Sequence, residues 1–213
     1  MSEADRAKWS ARYGGDDAPP KPPDPFVVAA LDALSPSGSA LDLAGGLGRH
    51  GVELARRGWD TTVVDIAPEG LARARAHAQD QGLELSSCAI DLDADWADLD
   101  RSGPWSVVVV AWFLLTEPMW SQLVPRLAGG GRLIYVHPTL ANLERHARPS
   151  ARFLAPLGHL AERAKAHGLE VSMFEEGWDS ADHHTSRLVA IAPTPPGAPP
   201  PSRGGRSAST GRR

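Results

Sequence analysis

Leu41-Asp42-Leu43-Ala44-Gly45-Gly46-Leu47-Gly48-Arg49 is the stretch that decides the fold of this 213-residue chain. An apolar strand ends here in a carboxylate, a glycine-rich turn follows, and a helix begins. Because the three glycines lack a β-carbon, the backbone can turn sharply and a ligand can approach it closely. The first N–H groups of the helix would point at that ligand. The stretch therefore predicts a ligand site between a strand and a helix.

A second carboxylate, Asp65, follows the next apolar run at residues 61–64. In a parallel sheet, Asp42 and Asp65 would lie side by side above neighbouring strand ends, where open α/β sheets bind ligands. We interpret the pair as part of a nucleoside site. A turn residue that caps the helix before Pro68 is the simpler alternative for Asp65.

Two ligands compete for this site. Gly46-Leu47-Gly48-Arg49-His50-Gly51 satisfies the dinucleotide pattern G-x-G-x-x-G, and Asp65 stands at about the 20-residue offset expected for a ribose contact. An NAD(P)-dependent oxidoreductase is therefore one prediction. Asp42 favours S-adenosylmethionine, because a carboxylate would repel a pyrophosphate but would bind the ammonium of a methionine tail.

Composition bounds the class of protein. Hydrophobic residues make up 42% and charged residues 23% of the chain, as in soluble globular proteins. No apolar run approaches the roughly 18 residues that span a bilayer, and residues 1–6 do not resemble a signal peptide. Cys88 is the single cysteine, which excludes an internal disulfide and a cysteine-based zinc cluster. We expect a cytoplasmic protein without a membrane partner.

The net charge of −4 is unevenly distributed. Residues 193–213 carry four arginines and no acid, which leaves 18 basic and 26 acidic residues in 1–192, a net charge of −8. An acidic body argues against nucleic acid as a partner. The Pro/Gly/Arg-rich segment 193–213 is predicted to be a disordered tail, after a single domain at 1–192.

Strand and helix patterns alternate along that domain. Asp24 and Pro25 are typical of an N-cap and a first helical residue, and a short helix is predicted around Trp9 and Tyr13. Predicted strands lie at 40–43, 61–64, 83–90, 105–115, 132–136, 169–174 and 187–191; predicted helices lie at 26–34, 49–57, 118–127 and 157–167 and between Pro68 and Gly82. Single helices between strands indicate a parallel α/β sheet with helices on both faces, and the last two strands should pair antiparallel at its edge.

Over residues 8–192 the chain resembles class I S-adenosylmethionine-dependent methyltransferases. Residues 41–50 are similar to the first motif of that family, Val64-Asp65-Ile66 to the second, and Asp91-Leu92 to the third. Gly129-Gly130-Gly131-Arg132-Leu133 resembles its glycine turn before strand 5. Four motifs in order are a stronger signal than the first alone.

Within that class, the chain most resembles small tellurite-resistance and thiopurine-type methyltransferases. The features are Trp9-x-x-Arg12-Tyr13, Pro149-Ser150-Ala151-Arg152-Phe153-Leu154 and His184-Thr185-Ser186-Arg187-Leu188-Val189-Ala190. The resemblance implies a Rossmann-like seven-stranded sheet of order 3-2-1-4-5-7-6 and a cap built from the N-terminal segment (1–25) and residues 137–156. Gly158-His159-Leu160 departs from the usual Gly-Glu-Leu, so the acceptor does not carry over.

The resemblance also implies roles for the donor site. Asp42 and the glycine turn would hold the methionine end, Asp65 the ribose hydroxyls, and Asp91 the adenine amino group. Asp91 could instead be a solvated carboxylate in an acidic loop. The predicted donor-binding set is Asp42, Leu43, Ala44, Gly45, Gly46, Gly48, Arg49, Asp65, Ile66, Asp91, Leu92 and Tyr13, with Ile66 and Leu92 on the adenine ring.

On the acceptor side the sequence shows no compelling dedicated base. Methyl transfer needs alignment and exclusion of water, and an acceptor that is already ionised needs no base. His137 and His184 are the candidate bases, against a structural role for each. Trp112, Phe113 and Trp9 are predicted to line the pocket with Tyr13, and Arg187 either binds an anion or lies on the surface. No metal is predicted, since Asp182-His183-His184 lacks a third ligand at suitable spacing.

We therefore predict a methyltransferase that uses S-adenosylmethionine and acts on a small molecule with a thiol, oxyanion, amine or hydroxyl acceptor. The alternatives are an NAD(P)-dependent oxidoreductase and a non-catalytic regulator that binds the same donor. Neither the acceptor nor the oligomeric state follows from the residues.

Overall fold

The computed structural model describes residues 3–15, 21–94 and 96–194. Seven strands form one sheet: β1 Ser39–Leu43, β2 Asp60–Asp65, β3 Ser86–Ala89, β4 Trp105–Ala111, β5 Leu127–Pro138, β6 Glu170–Trp178 and β7 His184–Ile191. Within these described residues, six α-helices accompany it: α1 Glu3–Gly14, α2 Pro25–Asp32, α3 Arg49–Arg56, α4 Pro68–Asp80, α5 Glu117–Leu123 and α6 His159–Ala166. The order of the strands is β3-β2-β1-β4-β5-β7-β6, which confirms the predicted order.

The pairing places the two carboxylates as predicted. Strands β1 to β5 are parallel, and β7 runs antiparallel between β5 and β6. Asp42 lies opposite Val63 of β2, two positions before Asp65 ends that strand. Both carboxylates therefore stand at the carboxyl edge of adjacent parallel strands, where ligands bind in such sheets.

Two apolar clusters cover the two faces of the sheet. One joins α2 and α3 to alternate residues of the central strands, including Val107 and Val109. The other joins α5 and α6 to the opposite residues, including Val108 and Val110. Strand β4 is thus buried on both faces, as its continuous apolar run predicts.

Several predicted element bounds were wrong. Strand β4 ends at Ala111 rather than 115, because Trp112 has φ 62°, a left-handed value that leaves the extended region. Strand β3 spans only Ser86–Ala89 because it is an edge strand whose register with β2 covers four residues. Helix α5 ends at Leu123 and continues as a 3₁₀ turn to Arg126.

Strands β5 and β7 are longer than predicted. Strand β5 runs from Leu127 to Pro138, so the glycine segment is part of it rather than a separate turn. Gly130 bonds to the carbonyl of Ala192, and that bond extends the pairing. Strand β7 begins at His184, which therefore lies in a strand and not in the loop predicted to precede it.

Two N-terminal predictions are confirmed, the helix around Trp9 and Tyr13 and the helix cap at Asp24. A helix, α1, contains Trp9 and Tyr13. Asp24 caps α2 by accepting a hydrogen bond from the N–H of Phe26 at 3.0 Å, and Pro25 opens the helix.

The predicted disorder of the tail concerns residues 195–213, which lie outside the described part. Among the described residues, no helix is both long and apolar enough to cross a membrane.

Candidate active site

The glycine turn between β1 and α3 is closed by backbone hydrogen bonds. The N–H of Gly45 donates to the carbonyl of Val64 at 2.9 Å, and that of Gly48 donates to Gly45 at 2.8 Å. A β-carbon on Gly45 would lie 2.6 Å from both Asp42 Oδ2 and a methyl group of Val63. Only glycine fits there, because the turn lies directly against the Asp42 carboxylate.

Ala44 precedes these glycines with φ 55°, in the left-handed region where a β-carbon is strained. Substituting Ala44→Gly should therefore raise the free energy of unfolding by about 0.5–1 kcal/mol. Ala76→Gly in the exposed face of α4 is the matched control, and it should lower that energy by about 1 kcal/mol. Urea unfolding of both variants measures the two changes. Equal losses would contradict strain at Ala44.

Asp42 is almost completely buried, with 1% of its surface exposed. Its Oδ2 accepts a hydrogen bond from the N–H of Gly51 at 2.8 Å. Burial raises the pKa of Asp42 to about 7, although Gly51 and the nearby Arg49 act in the opposite direction. The side chain is therefore poised near neutral pH to accept a cationic partner.

Asp65 connects the end of β2 to the glycine turn. Its Oδ2 accepts from the N–H of Gly46 at 2.8 Å, and its Oδ1 accepts from the N–H of Ala67 at 3.0 Å. Burial raises the pKa of this carboxyl as well. Asp65 is thus a possible ligand-binding group that also holds the turn. The bond from Ala67, directly before Pro68, fits the turn role given as its simpler alternative, whereas the bond from Gly46 was not predicted.

Helix α1 lies over the glycine turn. Tyr13 fits between Gly46 and Gly70, whose β-carbons would lie 2.7 Å and 2.8 Å from its side-chain atoms. Its ring stacks on Trp9, and its carbonyl accepts from Arg73 at 2.7 Å. Burial and the charge of Asp65 raise the pKa of the Tyr13 hydroxyl, which stays neutral.

The remaining predicted donor-site residues differ in their surroundings and in their exposure to solvent. Arg49 is close to Asp24, Asp42 and Tyr13, and it donates to the carbonyl of Pro22 at 3.4 Å. Leu43, Ile66 and Leu92 are buried. Asp91 is partly exposed beyond β3, where its Oδ1 accepts from the N–H of Asp93 at 3.0 Å.

Two aromatic residues follow β4. Trp112 is 39% exposed, and its indole N–H donates to Asp24 Oδ2 at 3.4 Å. Phe113 is partly buried against the core, and its carbonyl accepts from the Tyr135 hydroxyl at 2.8 Å. The Trp112 bond spans 88 positions of sequence, so no local pattern could predict it.

His137 is buried near the end of β5. Its Nε2 lies 3.0 Å from the carbonyl of Phe153, so Nε2 carries the proton and donates it. Its Nδ1 is buried with no hydrogen-bond partner among the described residues. Burial lowers the pKa of His137 to about 4, so the ring is neutral at pH 7.

His184 and Arg187 are engaged elsewhere. His184 Nδ1 lies 2.7 Å from the hydroxyl of Thr139, and its backbone pairs with both ends of the Asn142 amide. These bonds fasten the segment after β5 to β7. Arg187 of β7 forms an ion pair with Glu175 of the neighbouring strand β6 at 2.9 Å, so its charge is balanced there. Within the described residues, no three His, Cys, Asp or Glu side chains form a metal site.

Residues 40–129 match the family model of a methyltransferase domain. No curated protein matches the chain by sequence. Solved structures resemble it at low identity, with three informative examples.

A protein studied for the conversion of a disulfide bond into a thioacetal group in echinomycin biosynthesis has a TM-score of 0.68 and 18% identity, over 88% of this chain and 92% of that one. N-methyltransferase NodS from Bradyrhizobium japonicum WM9, in complex with S-adenosyl-L-homocysteine, has a TM-score of 0.66 and 20% identity, over 88% of this chain and 98% of that one. TehB from Haemophilus influenzae has a TM-score of 0.64 and 18% identity, over 87% of this chain and 66% of that one. At these identities the likeness shows the fold.

Proposed function

We propose that this protein methylates a small molecule with S-adenosylmethionine as the donor, because residues 40–129 match the family model of a methyltransferase domain and the chain shares the fold of methyltransferases such as NodS. The observation that carries the proposal is the pair of buried carboxylates, Asp42 and Asp65, on either side of a glycine turn. A methyl donor with an ammonium and a ribose diol matches that pair.

Asp42 fits the ammonium of the donor. Its Oδ2 is used by Gly51, whereas its Oδ1 accepts no hydrogen bond from the described residues and has His50 Nδ1 at 4.0 Å. A cationic amine would supply the charge-assisted bond that this oxygen lacks. A pyrophosphate at the same place would face a buried carboxylate, which disfavours the NAD(P) alternative.

Asp65 fits the ribose. Each oxygen already accepts one backbone N–H, and a carboxylate oxygen has a second lone pair that can accept from a hydroxyl. The lack of a side chain at Gly46 lets Tyr13 approach the turn next to Asp65, because a β-carbon there would lie 2.7 Å from the Tyr13 hydroxyl. Ile66 is proposed to pack near the adenine, with Asp91 toward its amino group.

The chain would contribute alignment and exclusion of water. The sulfonium of S-adenosylmethionine supplies the methyl group when the donor is bound. Tyr13 of α1 lies against the turn with its ring stacked on Trp9, and the two rings would shield the turn from solvent. Trp112 would orient the acceptor from the end of β4. Positioning of this kind can account for roughly 7–11 kcal/mol of a reaction barrier.

His137 is a better candidate base than His184. Its Nδ1 keeps a free lone pair, and the Phe153 carbonyl fixes the tautomer. The Nδ1 of His184 is already bonded to Thr139. A group with a pKa of about 4 is a weak base, so the site suits an acceptor that ionises readily, such as a thiol, better than an alcohol.

Calorimetric titration of the purified protein with S-adenosylhomocysteine tests the proposal. We expect saturable binding of S-adenosylhomocysteine and none of NADH; the reverse result would establish the oxidoreductase alternative. A panel of thiols, amines, phenols and oxyanions with S-adenosylmethionine then identifies the acceptor by product mass. Tight binding without transfer to any member of the panel would favour the non-catalytic regulator.

A further inference from the structure

His50 lies in the first turn of α3, between Asp42 and the segment that precedes α2. Only 3% of its surface is exposed. Its Nε2 accepts a hydrogen bond from the backbone N–H of Asp24 at 3.2 Å, so the proton of the neutral ring is on Nδ1. That Nδ1 lies 4.0 Å from Asp42 Oδ1. Burial lowers the pKa of His50 to about 3, so the ring stays neutral.

Residues 21–24, here called the strap, connect this histidine to the acceptor side. Asp24 binds three elements: its N–H donates to His50, its Oδ1 caps α2, and its Oδ2 accepts from the Trp112 indole at 3.4 Å. Pro22 accepts from Arg49 of α3. One continuous series of contacts thus runs from Asp42 through His50 and Asp24 to Trp112.

We propose that His50 is a positioning residue with two separate tasks: its Nδ1–H, 4.0 Å from Oδ1, favours the ionised Asp42 carboxylate that would bind the donor, and its Nε2 holds the strap that supports Trp112. The first task rests on the proposed function, because it concerns the binding of an adenosyl donor. The second concerns the fold of the strap and does not depend on any ligand.

The groups around Asp42 define what His50 adds. Arg49 on α3 favours the ionised carboxylate, and Asp65 at the end of β2 opposes it. Tyr13 on α1 is neutral, and Asp24 in the strap carries a negative charge near Arg49. At 4.0 Å, beyond hydrogen-bond distance, the Nδ1–H dipole of His50 would also favour the ionised form. Its loss should shift the pH dependence of donor binding toward higher pH.

Two variants separate the tasks because each amide reproduces one ring position. The side-chain nitrogen of His50→Asn stands as many bonds from Cα as Nδ1, and the oxygen of His50→Gln stands as many bonds from Cα as Nε2. We expect His50→Gln to keep the strap but to raise the midpoint of the pH dependence of S-adenosylhomocysteine binding, with affinity at pH 7 about three- to tenfold weaker. We expect His50→Asn to keep the midpoint but to lose the bond to the strap.

Calorimetry between pH 6 and 8.5 measures the midpoints, and amide hydrogen exchange by NMR measures the strap. In His50→Asn the Asp24 amide should exchange at least tenfold faster than in the wild type or in His50→Gln. An unchanged midpoint in His50→Gln overturns the first task, and an unchanged Asp24 exchange rate in His50→Asn overturns the second. If the wild type binds no S-adenosylhomocysteine, the proposed function fails while the exchange result still decides the second task.

The ring nitrogens of the wild type provide a measurement that needs no variant. Nitrogen-15 shifts of His50 should show a neutral ring protonated on Nδ1 from pH 5 to 8. A ring protonated on Nε2, or one that titrates near pH 6.5, would overturn both tasks, because Nε2 could not then accept from Asp24.

Discussion

Substitution of Asp65 by alanine is expected to weaken the binding of S-adenosylhomocysteine by about 100-fold or more. The ribose hydroxyls of the ligand would lose two charge-assisted hydrogen bonds to the carboxylate, each of about 1.5–3 kcal/mol. The N–H of Gly46 would also lose its acceptor, and the glycine turn would lose a contact to β2. Calorimetric titration of the variant and the wild type at the same pH measures the change.

Two controls separate the ribose contact from a general loss of charge or fold. Asp60→Ala removes an exposed carboxylate at the opposite end of the same strand, and it should leave affinity unchanged. Asp65→Asn keeps one acceptor oxygen and should lose less affinity than alanine. A thermal melt establishes that each variant is folded. Wild-type affinity in a folded Asp65→Ala protein would refute the ribose assignment.

The second large effect concerns Asp42 and depends on pH. Because burial raises the pKa of Asp42 to about 7, the carboxyl is increasingly protonated below that pH and loses its attraction for an ammonium. Affinity for S-adenosylhomocysteine should therefore rise from pH 6 to pH 8 in the wild type. In Asp42→Asn we expect a flat profile and about 30-fold weaker binding at pH 8, equivalent to about 2 kcal/mol.

Asp42→Asn should have the opposite effect on stability. A carboxyl whose folded pKa is raised stabilises the fold below its unfolded pKa of 3.8, and that contribution is lost as the pH rises through about 7. At pH 8 the wild type therefore bears the cost of a buried charge. The asparagine variant should gain on the order of 1–4 kcal/mol in free energy of unfolding there. Weaker binding together with lower stability would indicate a damaged fold instead of a lost ammonium contact.

Local chemistry explains why much of this site could be predicted from the sequence. Asp42 precedes a run of glycines, and Asp65 closes the next apolar strand, so pattern alone indicated two carboxylates at one sheet edge. Asp24 before Pro25 indicated a helix cap, which the hydrogen bond to Phe26 confirms. In each case the interacting groups are near in sequence or follow the repeat of the parallel sheet.

The histidines show where such reasoning stops. His137 and His184 were equivalent candidates by sequence. The fold distinguishes them, because β7 pairs antiparallel with β5 and brings His184 onto Thr139 and Asn142. The sequence placed His50 within the glycine motif but indicated no role for its side chain. Its partner Asp24 is 26 positions away, and Asp24 in turn meets Trp112 at a separation of 88.

By itself the sequence determined the alternation of strands and helices, the glycine turn and the two carboxylates, because these depend on side-chain periodicity and backbone freedom within a few residues. The tertiary structure decided which polar atoms are satisfied and which are left without a partner. That distinction arises only when distant segments pack together, since packing both removes water from a group and brings the donor or acceptor that replaces it. The ionisation of Asp42, the tautomer of His50 and the free Nδ1 of His137 all belong to this second kind.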